Sequence, residues 1–412
     1  MNTLLGNTRE LMMEQAWSLP LDELDVSNWH LMQQDAIWPY FERLRAEDPV
    51  HLQRDSRYGP FWSITRYDDI KFVDQNHKLF SSEGSIGLDD MPADFNTEMF
   101  IAMDQPRHDE QRKTVSPVVG PRNLAGFESI IRSRAGQILD ALPVGETFDW
   151  VDAVSIELTT QMLATLFNFP FEERRLLTHW SDMATLPTIP FAERRQELFK
   201  CLARFTELWH ERKAAEPGFD LISMLAHGNA TQDLINKPLE YLGNIMLLIV
   251  GGNDTTRNSI SGGVLALNQY SDEYDKLRAN HDLIPNMVAE IIRWQTPLAY
   301  MRRTALEDVE LNGKVIGKGD KVAMWYVSGN RDEAKFENAD ALIIDRANAR
   351  NHISFGFGIH RCMGSRLAEM QLRVLWEEIM QRFSHVEVVG EPQRVRSNFV
   401  RGYAELPVRL HR

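Results

Sequence analysis

Ser354-Phe355-Gly356-Phe357-Gly358-Ile359-His360-Arg361-Cys362-Met363-Gly364 is the stretch on which the reading of this chain turns. Two alternating glycines precede a lone cysteine and a third follows it, and an amphipathic helix is predicted over Arg366–Phe383. The glycines permit left-handed backbone and close approach by a flat ligand. Amides in such a loop can point at the sulfur, and the start of the following helix favours thiolate over thiol. The residues alone leave two other readings open: a buried cysteine in a glycine-rich turn, and a metal cluster of His352, His360 and Cys362. The histidine spacing fits no zinc pattern.

The rest of the chain narrows the function classes. Its 412 residues hold two cysteines, Cys201 and Cys362, which make neither a disulfide framework nor a CxxC zinc site. Lys plus Arg is 45 against 59 Asp plus Glu, a formal charge of −14, which argues against a nucleic-acid binder. No apolar run approaches the roughly 18 residues of a membrane span, and the charged N-terminus does not resemble a signal peptide. A cytoplasmic location is the expectation.

Hydrophobic periodicity predicts a mainly α chain with a smaller β portion. A lead-in over residues 1–48 ends in a short helix, Trp38–Glu47. Val50–Gln53 and Pro60–Thr65 form a hairpin around Ser56–Gly59. Helices dominate from Arg107 to about Arg293, the longest being Pro238–Tyr270, with a kink or widened turn expected at Gly251-Gly252. Val309–Leu311 and Lys314–Ile316 flank Asn312-Gly313, a strong hairpin signal. Lys321–Tyr326 is a further strand or strand-to-helix step, and His385–Leu410 is expected as a terminal β-hairpin turning at Gly402. The β-rich portions are thus about 49–66, 305–327 and 385–412.

Three further segments carry chemistry. Glu290-Ile291-Ile292-Arg293 is an ExxR match, but Glu42–Arg45 and Glu172–Arg175 match too, and an exposed i,i+3 ion pair explains any one of them. Gly251-Gly252-Asn253-Asp254-Thr255-Thr256 puts a charge and two hydroxyls directly after a long apolar run, where the hydroxyls can bond back to carbonyls. Arg107-His108-Asp109-Glu110-Gln111-Arg112 opens a helix after Pro106 and is otherwise a solvated charged turn.

The cysteine segment resembles the haem-binding loop of the cytochrome P-450 superfamily, FGxGxHxCxG, matched at every fixed position. That resemblance, running from about Pro49 to Leu410, implies the P-450 fold as a single domain over 1–412. The haem would lie between the long central helix and the Cys362 loop. It makes Cys362 the metal ligand, the axial thiolate of a b-type haem, and thiolate donation favours O–O cleavage over reversible O₂ binding. It places Phe355, His360 and Gly364 around the macrocycle, Gly251 against it, and His108, Arg112 and Arg303 at its propionates. Of these ExxR matches only Glu290–Arg293 lies at the family spacing ahead of the cysteine. There it resembles the pair that locks onto an arginine in the segment Asn330 through Arg346. Asp254 and Thr255 resemble the oxygen-activation motif (A/G)GxDT, with Thr255 beside O₂ and Asp254 relaying protons.

The implied activity is O₂-dependent monooxygenation, with electrons from NADH through a ferredoxin reductase and an iron-sulfur ferredoxin, as in soluble bacterial members. Arg107, Lys113, Arg361 and Arg366 are the candidate docking residues on a chain whose net charge would repel an acidic partner. A haem-based sensor or electron carrier is the rival from another class, against which Asp254-Thr255 argues. A peroxygenase is the nearer rival. Segments 252–259 and 103–113 resemble the bacterial branch that hydroxylates terminal methyl groups of medium-chain n-alkanes. Fatty-acid and terpene methyls would be weaker substrates of this alkane 1-monooxygenase-like enzyme. The alternative is a hydroxylase for a compact terpene or aromatic. Leu247, Val250, Leu298, Ala299 and Tyr403 are the expected substrate contacts, and the loop Gly84–Met103, with Ile86, Leu88, Met91, Phe95, Met99 and Phe100, the expected lid. No Lys or Arg lies among these candidates, so an anionic anchor near the iron is not expected.

Overall fold

Pro238 sits in the first turn of the helix that organises the molecule, Pro238–Gln269. A proline there gives up an N–H that would have no intrahelical partner. Beyond it nearly every side chain from Glu240 to Leu267 is buried, the pattern of a helix wrapped on all sides. Helices Glu157–Phe167, Arg175–Thr185, Phe191–Ala214, Ile284–Gln295 and Ser365–Arg382 all pack against it. The structure, a computed structural model, describes residues 2–186 and 188–412.

Both ends of the chain supply the β portion. The main sheet has the order Val50–Gln53, Phe61–Ile64, Lys321–Met324, Met301–Ala305, Phe80–Ser81. Its Phe61–Ile64 and Lys321–Met324 strands are parallel, and the other pairs are antiparallel. Val309–Leu311 and Lys314–Ile316 form the expected hairpin, with Asn312 at φ 50° and Gly313 at φ 73° in the turn. The architecture is that of a mainly helical protein with small sheets to one side.

Three local expectations change, and the Lys321–Tyr326 segment takes the strand-to-helix form. The lead-in carries a helix, Asn2–Ser18. Its few apolar positions give no period, and tertiary contacts hold it. Tyr40 donates to Met12 O at 2.9 Å, and Arg43 donates to the carbonyls of Ala16 and Leu19, each at 2.7 Å. The central helix passes Gly251-Gly252 without a break. The Lys321 strand stops at Met324 and a short helix, Tyr326–Gly329, follows. The tail is no single hairpin. Pro407–His411 lies between His385–Val388 and Thr147–Asp149, while Tyr403–Glu405 pairs with Gln393–Arg394 in a separate ribbon. Thr147–Asp149 is too short to alternate visibly, so the sequence hides the tail's second partner. Among the described residues no helix is long and apolar enough to cross a membrane.

Candidate functional site

Cys362 opens onto a cavity of about 700 Å³ between the central helix and the 354–364 loop. The loop is closed by a bond from Cys362 N–H to Phe355 O at 2.8 Å. Gly356 and Gly358 adopt φ of 62° and 66°. A Cβ at either would meet helix Tyr67–Gln75, 3.0 Å from Asp74 Oδ2 and 2.8 Å from Asp74 O. The two glycines are therefore demanded by protein packing as well as by the cavity. Burial pushes the Cys362 thiol above its ordinary value; the Gly364 and Ser365 amides and the guanidinium groups of Arg112 and Arg361 pull against it without prevailing.

One rim of the cavity is polar. Arg112, Arg303 and His360 line it, and the His108 and His360 rings lie 4.2 Å apart. His108 Nδ1 meets Asp109 Oδ1 at 2.7 Å. His108 Nε2 and both ring nitrogens of His360 are buried with no partner among the described residues. Burial, with Arg303, His108 and Arg112 nearby, holds His360 down to about 2. Unsatisfied buried nitrogens are costly unless something anionic or hydrogen-bonding meets them. Phe355, Gly364 and Gly251 also line this space.

Behind the cysteine, Glu290 and Arg293 are fully buried. Arg293 donates to both carboxylate oxygens of Glu290 at 2.8 and 2.7 Å, and to the carbonyls of Asn330, Ala339 and Ala341 at 2.7, 2.6 and 2.7 Å. Arg346 Nε adds a bond to Glu290 Oε1 at 3.0 Å. Asn330 carries the chain of bonds onward, donating to Ser354 Oγ and accepting from Ile353 N–H, each at 2.8 Å. The pair is thus bonded through to the first residue of the cysteine loop. The matches at Glu42 and Glu172 form no such pair: Arg45 goes to Glu333, and Arg175 to Asp152 and Glu157.

The structure separates Asp254 from Thr255. Thr255 lines the cavity, and its hydroxyl donates to Gly251 O at 3.1 Å. Asp254, one residue earlier and so rotated about the helix, is fully buried against helix Arg175–Thr185. It accepts from Ser181 Oγ at 3.0 Å, Thr185 Oγ1 at 3.3 Å and Asn253 Nδ2 at 3.0 Å. Arg257 lies 3.3 Å from Asp254 and 2.7 Å from Asp182, which is partly exposed. Burial raises the Asp254 carboxyl above its usual range, with Arg257 opposing.

Leu247, Val250 and Leu298 are on the cavity wall, as are Ile86, Leu88, Met91, Phe95, Met99 and Phe100 of the lid loop. Ala299 and Tyr403 are not. Ala299 is packed in a core cluster with Tyr300 and Trp325, and the buried Tyr403 hydroxyl donates to Gln295 Oε1 at 2.8 Å. Neither lies on the lining because both side chains are packed into the hydrophobic core. Besides Arg112 and Arg303, the lining includes Arg57 and Arg194, with Asp89 and Asp90, none of which was among the pocket candidates. Scattered single arginines give no periodic signal.

The lid is fastened at one end. Gly243 lets the backbone of Glu98 lie so close that a Cβ would come 2.1 Å from its carbonyl oxygen. Asn244 Oδ1 accepts from Phe100 N–H at 3.0 Å, and Arg107 pairs with Glu98 at 2.9 Å and Glu240 at 3.1 Å. The other end carries exposed carboxylate pairs, Asp90 to Arg302 at 2.6 Å and Lys321 at 2.7 Å, and Asp94 to Arg195 at 2.6 Å, beside two backbone bonds: Arg302 N–H donates to Ile86 O at 2.9 Å, and Leu88 N–H donates to the buried Tyr300 hydroxyl at 3.1 Å.

Comparison with known proteins decides the family. The cytochrome P450 family model matches residues 191–402. The chain belongs to the cytochrome P450 family. The P450 is 48% identical to cytochrome P450-153 from Novosphingobium aromaticivorans, with a TM-score of 0.90 over 94% of this chain and 99% of that one. It is 36% identical over 409 residues to linalool 8-monooxygenase of Pseudomonas putida, covering 95% of this chain and 99% of the relative. It is 33% identical over 410 residues to a methyl-branched lipid omega-hydroxylase of Mycobacterium tuberculosis, covering 94% of each.

The family implies a b-type haem, and the residues fit one. A soft sulfur ligand faces an apolar space whose rim holds two guanidinium groups and the unsatisfied nitrogens of His108 and His360. These are the partners for two carboxylates on the edge of a hydrophobic disc. Coordination to a metal cation would favour loss of the thiol proton. The chain is a bacterial-type P450 monooxygenase, and such enzymes need O₂, an electron donor and a small-molecule substrate.

Proposed function

We propose that this P450 hydroxylates the terminal methyl of medium-chain n-alkanes, with fatty-acid chain ends and terpene methyls as weaker substrates. The observation that carries the reading is the cavity wall. Leu247, Val250 and Leu298 face the lid residues Met91, Phe95 and Phe100, and the charged side chains gather at the two ends. A chain without polar groups loses nothing against such a wall and gains on leaving water. A terminal C–H bond is stronger than an internal one, so terminal attack requires walls that present only the chain end. The relative named as an omega-hydroxylase of a methyl-branched lipid supports chain-end chemistry in this part of the family.

Haem supplies the redox chemistry when bound. The protein's part in this reading is to exclude water with its apolar walls and to deliver protons. Thr255 is the hydroxyl on the cavity side. Asp254 is the buried acid that resupplies it, reached from solvent through Asp182 and Arg257 and turned from Ser181 toward Thr255 by a side-chain rotation. NADH feeds electrons through a ferredoxin reductase and a small acidic iron-sulfur ferredoxin. Lys113, Arg361 and Arg366 are exposed and serve as its docking charges. Arg107 does not, being neutralised by Glu98 and Glu240. Turnover of n-octane with a surrogate ferredoxin system tests the substrate: 1-octanol as the main product is expected. Mainly internal alcohols, or no turnover of any linear chain, would refute it.

The linalool 8-monooxygenase likeness favours a terpene as the second reading. Competition between octane and a terpene alcohol, read as the ratio of kcat/KM values, separates the two.

A further inference from the structure

Asp74 does not line the cavity, yet its carboxylate, 2% exposed, is where three parts of the haem site meet. Oδ1 accepts from Arg303 Nη2 at 2.8 Å. Oδ2 accepts from the Tyr326 hydroxyl at 2.9 Å and from the Phe357 backbone N–H at 2.8 Å. Phe357 belongs to the loop that ends in Cys362, and Gly356 beside it is the residue whose side chain would collide with this same carboxylate. Arg303 and Tyr326 both line the cavity. Arg303 uses one further N–H on Arg302 O at 2.9 Å. A guanidinium has five N–H groups, so most of its donors stay available on the cavity side. Asp74 therefore holds the arginine by one edge and leaves the other to the ligand.

We propose that Asp74 is a positioning residue for the haem: it shares Arg303 with the propionate edge, ties that arginine to the Cys362 loop through Phe357, and by its charge lowers the reduction potential of the bound iron. This rests on the reading that a b-type haem occupies the cavity. Arg303 is 3% exposed and Asp74 2%, so the two charges act in a medium that screens them weakly. Removing the carboxylate leaves Arg303 uncompensated beside the cofactor. Added positive charge favours the reduced metal, which carries one positive charge fewer. An ion pair that merely held the fold would change stability without moving the potential in a defined direction.

The test measures two properties of the substrate-free holoenzyme, neither of them activity. One is the midpoint potential by spectroelectrochemical titration. The other is the rate of haem transfer to apomyoglobin. The ferrous-CO spectrum is checked in every variant. Asp74→Asn is expected to raise the ratio of reduced to oxidised haem at a given poise about tenfold, which is about 59 mV for one electron. Haem transfer should quicken about tenfold, the scale of one charge-assisted hydrogen bond. In an Arg303→Gln background the same change should move the potential by less than about a third as much, because a carboxylate this buried, left without its guanidinium, is neutralised by a proton and has little charge left to remove. Tyr326→Phe removes one donor, leaves the carboxylate charge less neutralised, and should shift the potential the opposite way. That arm also decides the matter should Asp74→Asn not take up haem. An unmoved potential in both single variants, or equal Asp74→Asn shifts in both Arg303 backgrounds, would overturn the proposal. Absence of the thiolate-type CO spectrum from the unaltered protein would instead overturn the haem reading beneath it.

Discussion

Glu290→Gln is a one-atom change whose cost can be worked from the geometry. Glu290 Oε1 accepts from Arg293 Nη2, Arg346 Nε and the Ile343 N–H at 2.7, 3.0 and 2.9 Å, and Oε2 from Arg293 Nε at 2.8 Å. A glutamine can keep its oxygen at the first position, but its NH₂ then faces Arg293 Nε–H, donor against donor. Two buried guanidinium groups lose the one carboxylate between them. Breaking a buried ion pair from one side costs roughly 3–5 kcal/mol. That is a large part of the roughly 5–15 kcal/mol that holds a folded protein together. The damage lands on the 330–346 segment, which Asn330 couples to Ser354, so haem retention should fall with stability. Urea unfolding free energies and haem content per chain, from the Soret-to-280 nm ratio, measure both. Glu42→Gln is the control: Glu42 is exposed in a decoy ExxR whose arginine pairs elsewhere, and its change should stay within about 0.5 kcal/mol. A Glu290→Gln protein that matches the control in both measurements would refute the locking role.

Cys362→Ser should abolish monooxygenase activity and the red-shifted Soret band of the reduced CO complex, since the other cysteine, Cys201, is fully buried. Wild-type protein with an imidazole-type CO spectrum would sink the assignment. Thr255→Ala should keep haem and lower the product formed per NADH consumed; an unchanged ratio removes its proton role. Asp254→Asn should slow turnover yet raise stability at neutral pH. Burial lifts the Asp254 carboxyl in the folded state above its usual 3.8, so folding favours the protonated form and the charged form weakens it as pH rises. Arg257 keeps Asp182 as partner. The advantage of the variant should vanish below the ordinary carboxylate range, and a variant less stable at pH 7 than at pH 3, relative to wild type, would contradict the sign. Charge reversal at two of Lys113, Arg361 and Arg366 should slow ferredoxin association and flatten its salt dependence, with unchanged kinetics across a salt series arguing for another docking face.

The cysteine loop and the spacing of Glu290 ahead of it were legible because they are local patterns of rare residue types. So was the central helix, because an apolar run with a proline at its head has few alternatives. What stayed hidden needed the third dimension. Asp74 is an ordinary helix residue until the chain returns near Arg303, Tyr326 and Phe357. Asp254 and Thr255 are neighbours in sequence, and a single step around a helix sends one to the cavity and the other to Ser181. Tyr403 and Ala299 lie close to pocket residues along the chain, but the tertiary fold turns them into the core. Arg57 and Arg194 reach the lining from unrelated segments with no motif around them.

The lid's two attachments differ in kind, and they answer differently to the solvent. At Gly243 and Asn244 the loop backbone is pressed onto a buried helix, where mobile ions do not reach. At Asp90 and Asp94 it is held by carboxylates 66% and 68% exposed, contacts worth about 0–1 kcal/mol each and weakened by salt. Between the buried bonds of Ile86 and Leu88 and the Gly243 contact, the middle of the loop is thus a flap with a wet latch. Raising ionic strength loosens the latch while the dry attachment keeps His108 and Arg112, on the helix just beyond it, in place. Access for a hydrophobic substrate and retention of the cofactor become separately adjustable, although one stretch of chain serves both.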